Sequence, residues 1–311
     1  MIIQKPAIEI LDQAAHEIIP ENAIMEQVAT GFNFTEGPVW DGDSLIFSDI
    51  PKNRIVKLRF FNRGPEVTTY RTPTGNSNGM TMDLSHRLII CEHSGRRVVM
   101  EEEDGSIRVI ADRCNGKRFN SPNDVVTRSD GSIYFTDPTF GLRHHTEWKE
   151  QGCCGVYRVA PDGEVHCLVD DFQLPNGLAF SPDETKLYID DTAKHHIRVF
   201  DVAEDGSISN GRIFADLRGK EPGEPDGMKV DRKGNVYCTG SGGFWILSPE
   251  GKALARINPP EIPANLAWGG RDWRTLYLTA RTSIYRMRFN IPGMPVGDFI
   301  QTWFNPPPGE W

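Results

Sequence analysis

One pattern occurs six times along the chain, and this internal repeat restricts the fold more than any other feature. Each copy begins with a residue that carries a side-chain oxygen. An apolar run, a turn and a second apolar run follow. The first residues are spaced 42, 45, 53, 50 and 39 residues apart, and they are Glu36, Asn78, Asn123, Asn176, Asp226 and Asn265. A repeat of this length is typical of propeller blades.

Each copy predicts a β-hairpin. Two short apolar runs are joined by a turn such as Ser-Asp-Gly at 129–131 or Arg-Lys-Gly at 232–234, a pattern typical of antiparallel strands. Segments between the copies, such as 155–170 and 196–209, supply further strands. Four strands in each of six repeats predict an all-β chain folded as a six-bladed β-propeller with four-stranded blades.

The repeat also predicts where the first residues of the copies meet. The innermost strands of a propeller surround a central channel, so residues that begin these strands lie at one mouth of it. The sequence therefore predicts a ring of side-chain oxygens from all six copies. Converging oxygens need a cation to offset their mutual repulsion. For Asn78 and Asn265, a simple turn-capping role is an equally good interpretation.

A chain of 311 residues is long enough for two domains, but a propeller closes only as a whole, which favours one domain. We expect residues 1–30 to form an N-terminal extension and residues 31–290 to form the propeller. Residues 291–311 are expected to form a C-terminal tail packed on it. Residues 28–34 are expected to supply the strand that closes the ring against the last blade.

Charge and hydropathy exclude several classes of partner. The net charge is −9 and the mean hydropathy is −0.43. Nucleic acids and anionic membranes require clustered cations, so neither is expected as a partner. The first residues lack the basic start and apolar segment of a signal peptide, which favours a cytoplasmic protein. The acidic charge and the aromatic tail are compatible with a homodimer.

Six cysteines show no spacing typical of a disulfide framework or a metal site. We expect reduced thiols. The adjacent residues Cys153 and Cys154 leave a strained vicinal disulfide as the alternative. Nothing in the sequence supports a catalytic thiol.

Residues 136–154 form an insertion that starts near the predicted channel mouth. The segment is too long for a tight turn and is rich in Arg, His and Trp. Binding loops are commonly carried on rigid scaffolds, so we expect a lid over the site, with a loop that contacts no ligand as the alternative. Arg143 and His144 are its candidate substrate-binding residues, although a solvated histidine is an open alternative for His144.

Four motifs in order, EGPVW, NSPNDVV, LPNGLAFSPD and PDGMKVD, resemble the gluconolactonase family, which includes senescence marker protein (regucalcin) and luciferin-regenerating enzyme. The resemblance covers about residues 30–290. It implies a six-bladed propeller with one divalent metal at the channel mouth and with Glu36, Asn176 and Asp226 as ligands. Asn123 stands where the family has an asparagine that binds metal or substrate. Asp226 also occupies the position of the proposed general base.

One position departs from the animal members of the family, which have an arginine where this chain has Ser121. Lys117 and Arg118 are nearby but out of register. Recognition of sugar hydroxyls must therefore differ, with Asn78, Asn123, Arg143 and His144 as candidates. Arg143 is placed to replace the missing arginine.

The expected ligands offer only oxygen, which hard cations prefer: Ca²⁺ first, then Mg²⁺ or Mn²⁺, with Zn²⁺ less suited. The predicted reaction is hydrolysis of an aldonolactone such as D-glucono-1,5-lactone. The metal would polarise the ester carbonyl, and Asp226 would take a proton from the attacking water. A phosphotriesterase, another lactone or ester hydrolase, and a non-enzymatic calcium-binding propeller are the alternatives. Which lactone, which metal and which oligomeric state the protein has are left open.

Overall fold

The computed structural model describes residues 2–297, and it confirms a nearly all-β six-bladed propeller with four-stranded blades. Blades are numbered here in chain order. Blade 1 consists of Thr35–Trp40, Ser44–Asp49, Arg54–Phe61 and Gly64–Arg71. Blade 2 consists of Ser77–Met82, Leu88–Glu92, Arg97–Glu101 and Ile107–Ala111. Blade 3 consists of Val125–Thr127, Ile133–Asp137, Cys154–Val159 and Val165–Phe172.

The remaining three blades follow the same antiparallel order, and the last two each carry one extra outer strand. Blade 4 consists of Pro175–Phe180, Lys186–Asp191, His196–Val202 and Ile208–Asp216. Blade 5 consists of Met228–Val230, Val236–Gly240, Gly243–Leu247, Ala253–Asn258 and Ala7–Ile10. Blade 6 consists of Asn265–Gly269, Thr275–Ala280, Ser283–Arg288, Met25–Thr30 and Ile2–Gln4.

A strand from the N-terminal part of the chain closes the circle of blades. Met25–Thr30 pairs antiparallel with Ser283–Arg288, so that Thr30 lies opposite Ser283. The closing strand thus begins three residues before the expected segment 28–34 and ends at Thr30, because Thr35 already starts blade 1. Residues 1–30, expected to be an extension, therefore supply strands to blades 5 and 6.

Helical structure is confined to short segments. They are the α-helix Ala15–Ile18 and the 3₁₀ turns Ile50–Lys52, Phe140–Leu142 and Thr146–Trp148. No helix within residues 2–297 has the length and apolar character to cross a membrane. A small hairpin pairs Arg113–Cys114 with Lys117–Arg118. All six cysteines are free thiols, so Cys153 and Cys154 form no vicinal disulfide.

Neighbouring blades approach one another most closely next to the ring residues. A Cβ on Gly37 would lie 1.9 Å from the carbonyl oxygen of Asn78, and one on Gly177 would lie 2.2 Å from that of Asp226. Only glycine allows this approach of two backbones. The glycine that follows the ring residue in these blades therefore sets the distance between adjacent ring residues.

The C-terminal segment up to residue 297 packs on the end of the propeller opposite those glycines. Met294 donates its backbone N–H to the carbonyl of Val230 at 3.0 Å, and Gly293 bridges to Asp231. Both partners lie at the end of the inner strand of blade 5. Residues 298–311 lie outside the described part of the chain, so the expected packing of that portion stays a prediction.

Candidate functional site

A polar cavity of about 690 Å³ opens at the mouth of the channel where the inner strands begin. Its wall includes five of the six residues predicted to form the oxygen ring: Glu36, Asn78, Asn123, Asn176 and Asp226. The four candidate metal ligands and the candidate substrate residues Arg143 and His144 are all on this wall. The structure therefore brings together all the candidate ligand, catalytic and substrate-binding residues, whereas Asn265 of the predicted ring is not on this wall.

The sequence left a ring position and a turn-capping role equally open for the sixth residue, Asn265. Asn265 is 2% exposed and does not reach the cavity wall. Its side-chain amide donates to Glu36 Oε2 at 3.0 Å and to Asp124 Oδ2 at 3.3 Å. Asn265 thus lies beneath the ring, because two buried carboxylates there accept both of its N–H groups.

Side-chain amides are linked in a row along the mouth. Asn78 Nδ2 donates to Asn123 Oδ1 at 2.6 Å, and Asn123 Nδ2 donates to Asn176 Oδ1. Asn176 Nδ2 donates to Thr192 Oγ1 at 3.0 Å. The row fixes where each amide oxygen lies. Asn78 Oδ1 is buried and has no hydrogen-bond partner, as expected for an oxygen that awaits a ligand.

A buried histidine supports this row of amides. His93 Nε2 lies 3.1 Å from Asn78 Nδ2 and 3.0 Å from Asn123 Oδ1. Burial lowers the pKa of His93 to about 4, and the Arg143 guanidinium adds to this effect. At neutral pH, His93 is therefore an uncharged ring that orients two candidate site residues.

Burial and neighbouring carboxylates raise the pKa of the acidic residues at the mouth. Glu36 is 3% exposed, and burial together with Asp124 raises its pKa to about 7. The pKa of Asp226 is raised well above its ordinary value by burial and by Glu36, Asp190 and Asp124. Each carboxylate makes ionisation of the others more costly. A divalent cation between Glu36 and Asp226 would remove this penalty.

The donor types fit a hard cation better than a zinc-type ion. Among residues 2–297, no group of three or more His, Cys, Asp and Glu side chains is arranged to hold a metal. The ring instead offers carboxylate oxygens of Glu36 and Asp226 and amide oxygens of Asn123 and Asn176. Oxygen-only sets of this kind suit Ca²⁺ and Mg²⁺.

Buried aspartates at the ends of the second strands hold the loops that lead to the ring. Asp137 accepts the backbone N–H groups of Asn120 and Ser121, both at 2.7 Å. Asp49 and Asp191 accept two backbone N–H groups each, from the segments before Glu36 and Asn176. These aspartates therefore have a structural role: they fix the backbone segments that lead to the ring residues.

Removing the Asp137 carboxylate is expected to destabilise the fold. In Asp137→Ala, the N–H groups of the fully buried Asn120 and Ser121 lose their acceptors, at a cost of about 1–3 kcal/mol for each. Chemical denaturation of both proteins measures the loss. Asp43→Ala, at the exposed hairpin turn of blade 1, is the control and should stay within about 0.5 kcal/mol of wild type. Equal stability of the two variants would contradict this role.

The insertion contributes to the cavity wall through Phe140, Gly141, Arg143 and His144. Ser121, which stands in place of the family arginine, joins the insertion to the ring. Its hydroxyl donates to the carbonyl of Pro138 at 2.6 Å and accepts the N–H of Gly141 at 2.9 Å. These residues of the insertion therefore lie at the cavity, where Ser121 fixes them to the scaffold, and the role of the insertion as a lid stays a prediction.

A model of the SMP-30/Gluconolactonase/LRE-like region matches residues 34–282. The chain belongs to this family. A gluconolactonase of Zymomonas mobilis is 33% identical over 300 residues, which cover 87% of this chain and 83% of that protein. A pentonolactonase of Haloferax volcanii is 27% identical over 265 residues, with coverages of 81% and 83%. The solved structure of a Xanthomonas campestris gluconolactonase matches with a TM-score of 0.83 and 31% identity, over 92% of this chain and 95% of that one.

Sequence reasoning missed three residues of this family member's channel: His93, Asp124 and Lys229. Two of them left a signal in the repeat. Asp124 follows its ring residue where blades 1, 2, 4 and 5 have glycine, and Lys229 is three residues after its ring residue where the other blades have uncharged residues. His93 follows the second strand of blade 2, a position that the repeat does not mark.

Proposed function

We propose that this protein hydrolyses sugar lactones with one divalent cation bound by Glu36, Asn123, Asn176 and Asp226. Ca²⁺ is the first candidate for this cation. The observation that carries the proposal is the convergence of two carboxylates, one buried and one half-buried, and two oriented amides on one polar cavity. Two relatives named for lactone hydrolysis, the gluconolactonase and the pentonolactonase, support the choice of substrate class.

In the proposed reaction, water adds to the carbonyl carbon of the lactone and the bond from that carbon to the ring oxygen breaks. The bound cation would supply polarisation of the carbonyl. Asp226 accepts the proton of the attacking water and returns it to the departing ring oxygen, which gives the open aldonic acid. Its half-buried carboxylate faces the cavity and is reachable by water.

Polar residues on the rest of the wall are proposed to bind the sugar. Asn78 and Asn123 would contact hydroxyls or the carbonyl from the ring, and Arg143 and His144 would do so from the lid. Arg143 makes no ion pair among the residues that the structure describes; its Nε donates to the carbonyl of Phe140 at 3.2 Å. Its terminal nitrogens are thus available for substrate oxygens.

Removal of the cation is expected to abolish turnover. We expect chelated, dialysed protein to hydrolyse D-glucono-1,5-lactone no faster than the spontaneous reaction, and single divalent ions to restore the rate, Ca²⁺ best. Proton release measures hydrolysis, and calorimetry gives the number of ions bound to each chain. Full activity after chelation would contradict the proposed cation.

The same assay separates the alternative functions. A phosphotriester and an aromatic lactone are run beside the sugar lactone, since one propeller scaffold can host different hydrolases. If the phosphotriester or the aromatic lactone is cleaved faster than the sugar lactone, the class of that compound becomes the proposed substrate class. Binding of Ca²⁺ without turnover of any compound would indicate a non-enzymatic calcium-binding propeller.

A further inference from the structure

A second layer of inner-strand residues lies beneath the oxygen ring. It consists of the residues three positions after each ring residue: Val39, Thr81, Val126, Ala179, Lys229 and Trp268. All but Val39 line a small cavity of about 80 Å³, which Met294, Pro295 and Val296 border. Lys229 is the one charged residue of the six. A charge inside such a layer is costly unless groups of opposite sign are near.

The ammonium of Lys229 is linked to the carboxylates above it. Nζ donates to the carbonyl of Met228 at 2.9 Å and reaches Asn265 Oδ1 at 3.5 Å. Asn265 in turn donates to Glu36 and Asp124. One lysine, one amide and two carboxylates thus form a continuous connection from the lower layer to the ring.

The charges explain why a lysine belongs here. Four buried or half-buried carboxylates, Glu36, Asp124, Asp190 and Asp226, lie in or directly beneath the ring. These carboxylates repel one another because they carry like charges, and the connection from Lys229 Nζ through Asn265 to Glu36 brings one positive charge next to them. Asp190 Oδ1 is buried without a hydrogen-bond partner, so the negative charge of the cluster is incompletely compensated.

We propose that Lys229 is a built-in counter-charge of the cation site, and that Asn265 beside it holds the Glu36 carboxylate in place. The inference rests on the proposed metal site. Lys229 is a positioning residue, since it does not line the substrate cavity. The counter-charge has two consequences. Lys229 keeps the carboxylates together when no cation is bound, and its ammonium weakens cation binding by repulsion.

Lys229→Met tests the counter-charge, because methionine keeps an unbranched side chain without the ammonium. Calorimetry on chelated protein is expected to give a Kd for Ca²⁺ at least about tenfold lower than wild type, as one like charge nearby is removed. The Tm of the cation-free variant should fall by more than that of the Ca²⁺-loaded variant. Lys229→Arg should restore both values. Thr81→Val, a neutral change in the same layer, is the control.

Each result decides the proposal. An unchanged or higher Kd in Lys229→Met would overturn the counter-charge. Asn265→Ala, a second variant that keeps the ammonium, should bind Ca²⁺ more weakly because Glu36 loses a hydrogen-bond donor, and unchanged binding would overturn the positioning role of Asn265. A wild-type protein that binds no Ca²⁺ would instead refute the proposed metal site itself.

Discussion

Asp226→Asn is expected to lower kcat/KM for a sugar lactone by about 10²–10⁴-fold, the usual effect of losing a general base. Asparagine has the same shape, so the wall of the cavity stays intact, but its amide cannot take a proton from water. The rate is measured by proton release at several Ca²⁺ concentrations. Saturating Ca²⁺ separates loss of the base from weaker cation binding.

Two comparisons make the Asp226 result interpretable. Asp130→Asn, an exposed turn carboxylate, should leave kcat/KM unchanged. The Tm of cation-free Asp226→Asn should not fall below that of the cation-free wild type, because one of several mutually repelling carboxylates is removed. Near-full activity of Asp226→Asn at saturating Ca²⁺ would show that another group takes the proton.

Deletion of residues 1–30 is expected to abolish cooperative folding. The deletion removes the strand Met25–Thr30, which closes the ring against Ser283–Arg288. It also removes the fully buried Met25 and Ala15 and leaves an exposed sheet edge prone to aggregation. Burial of a large apolar side chain is worth about 1.5–3 kcal/mol. The segment contains several such side chains, including Ile18, Met25 and Val28, so their summed loss is comparable to the stability of a typical domain, about 5–15 kcal/mol.

The matched control is deletion of residues 1–5. Ile2 and Ile3 are 61% and 59% exposed, and their strand is an additional outer one on blade 6. This shorter deletion should change the Tm by only a few degrees. Circular dichroism during heating and size-exclusion chromatography report both results. A sharp transition near the wild-type Tm after removal of residues 1–30 would contradict the closing role of the strand.

The repeat made the blades predictable because period and turn chemistry are local properties. Residues such as Asn123 and Asn176 recur at the start of an apolar run in successive copies, and the propeller brings equivalent positions of all copies together. The same logic left the place of Asn265 open. Its sequence position is equivalent to the others, but the carboxylates of Glu36 and Asp124 bind its amide below the mouth.

Contacts between blades decided what the repeat did not mark. His93 reaches the ring from the second strand of blade 2, since that strand ends beside Asn78 and Asn123. Ser121 joins the lid through hydrogen bonds to Pro138 and Gly141, which are 17 and 20 residues away. Such contacts depend on how blades and loops pack in three dimensions, and single-sequence patterns contain no information about them.

By itself, the sequence determined the number of blades, the end of the channel at which the polar ring residues meet and the carboxylate and amide types of their side chains. These properties follow from residue type and spacing alone. The tertiary structure decided that Asn265 lies beneath the oxygen ring, that Met25–Thr30 is the strand that closes the propeller and that Lys229 belongs to the charge cluster. Buried charges and sheet edges are compensated by residues that are distant in the sequence. These partners become known only when folding brings the distant segments together.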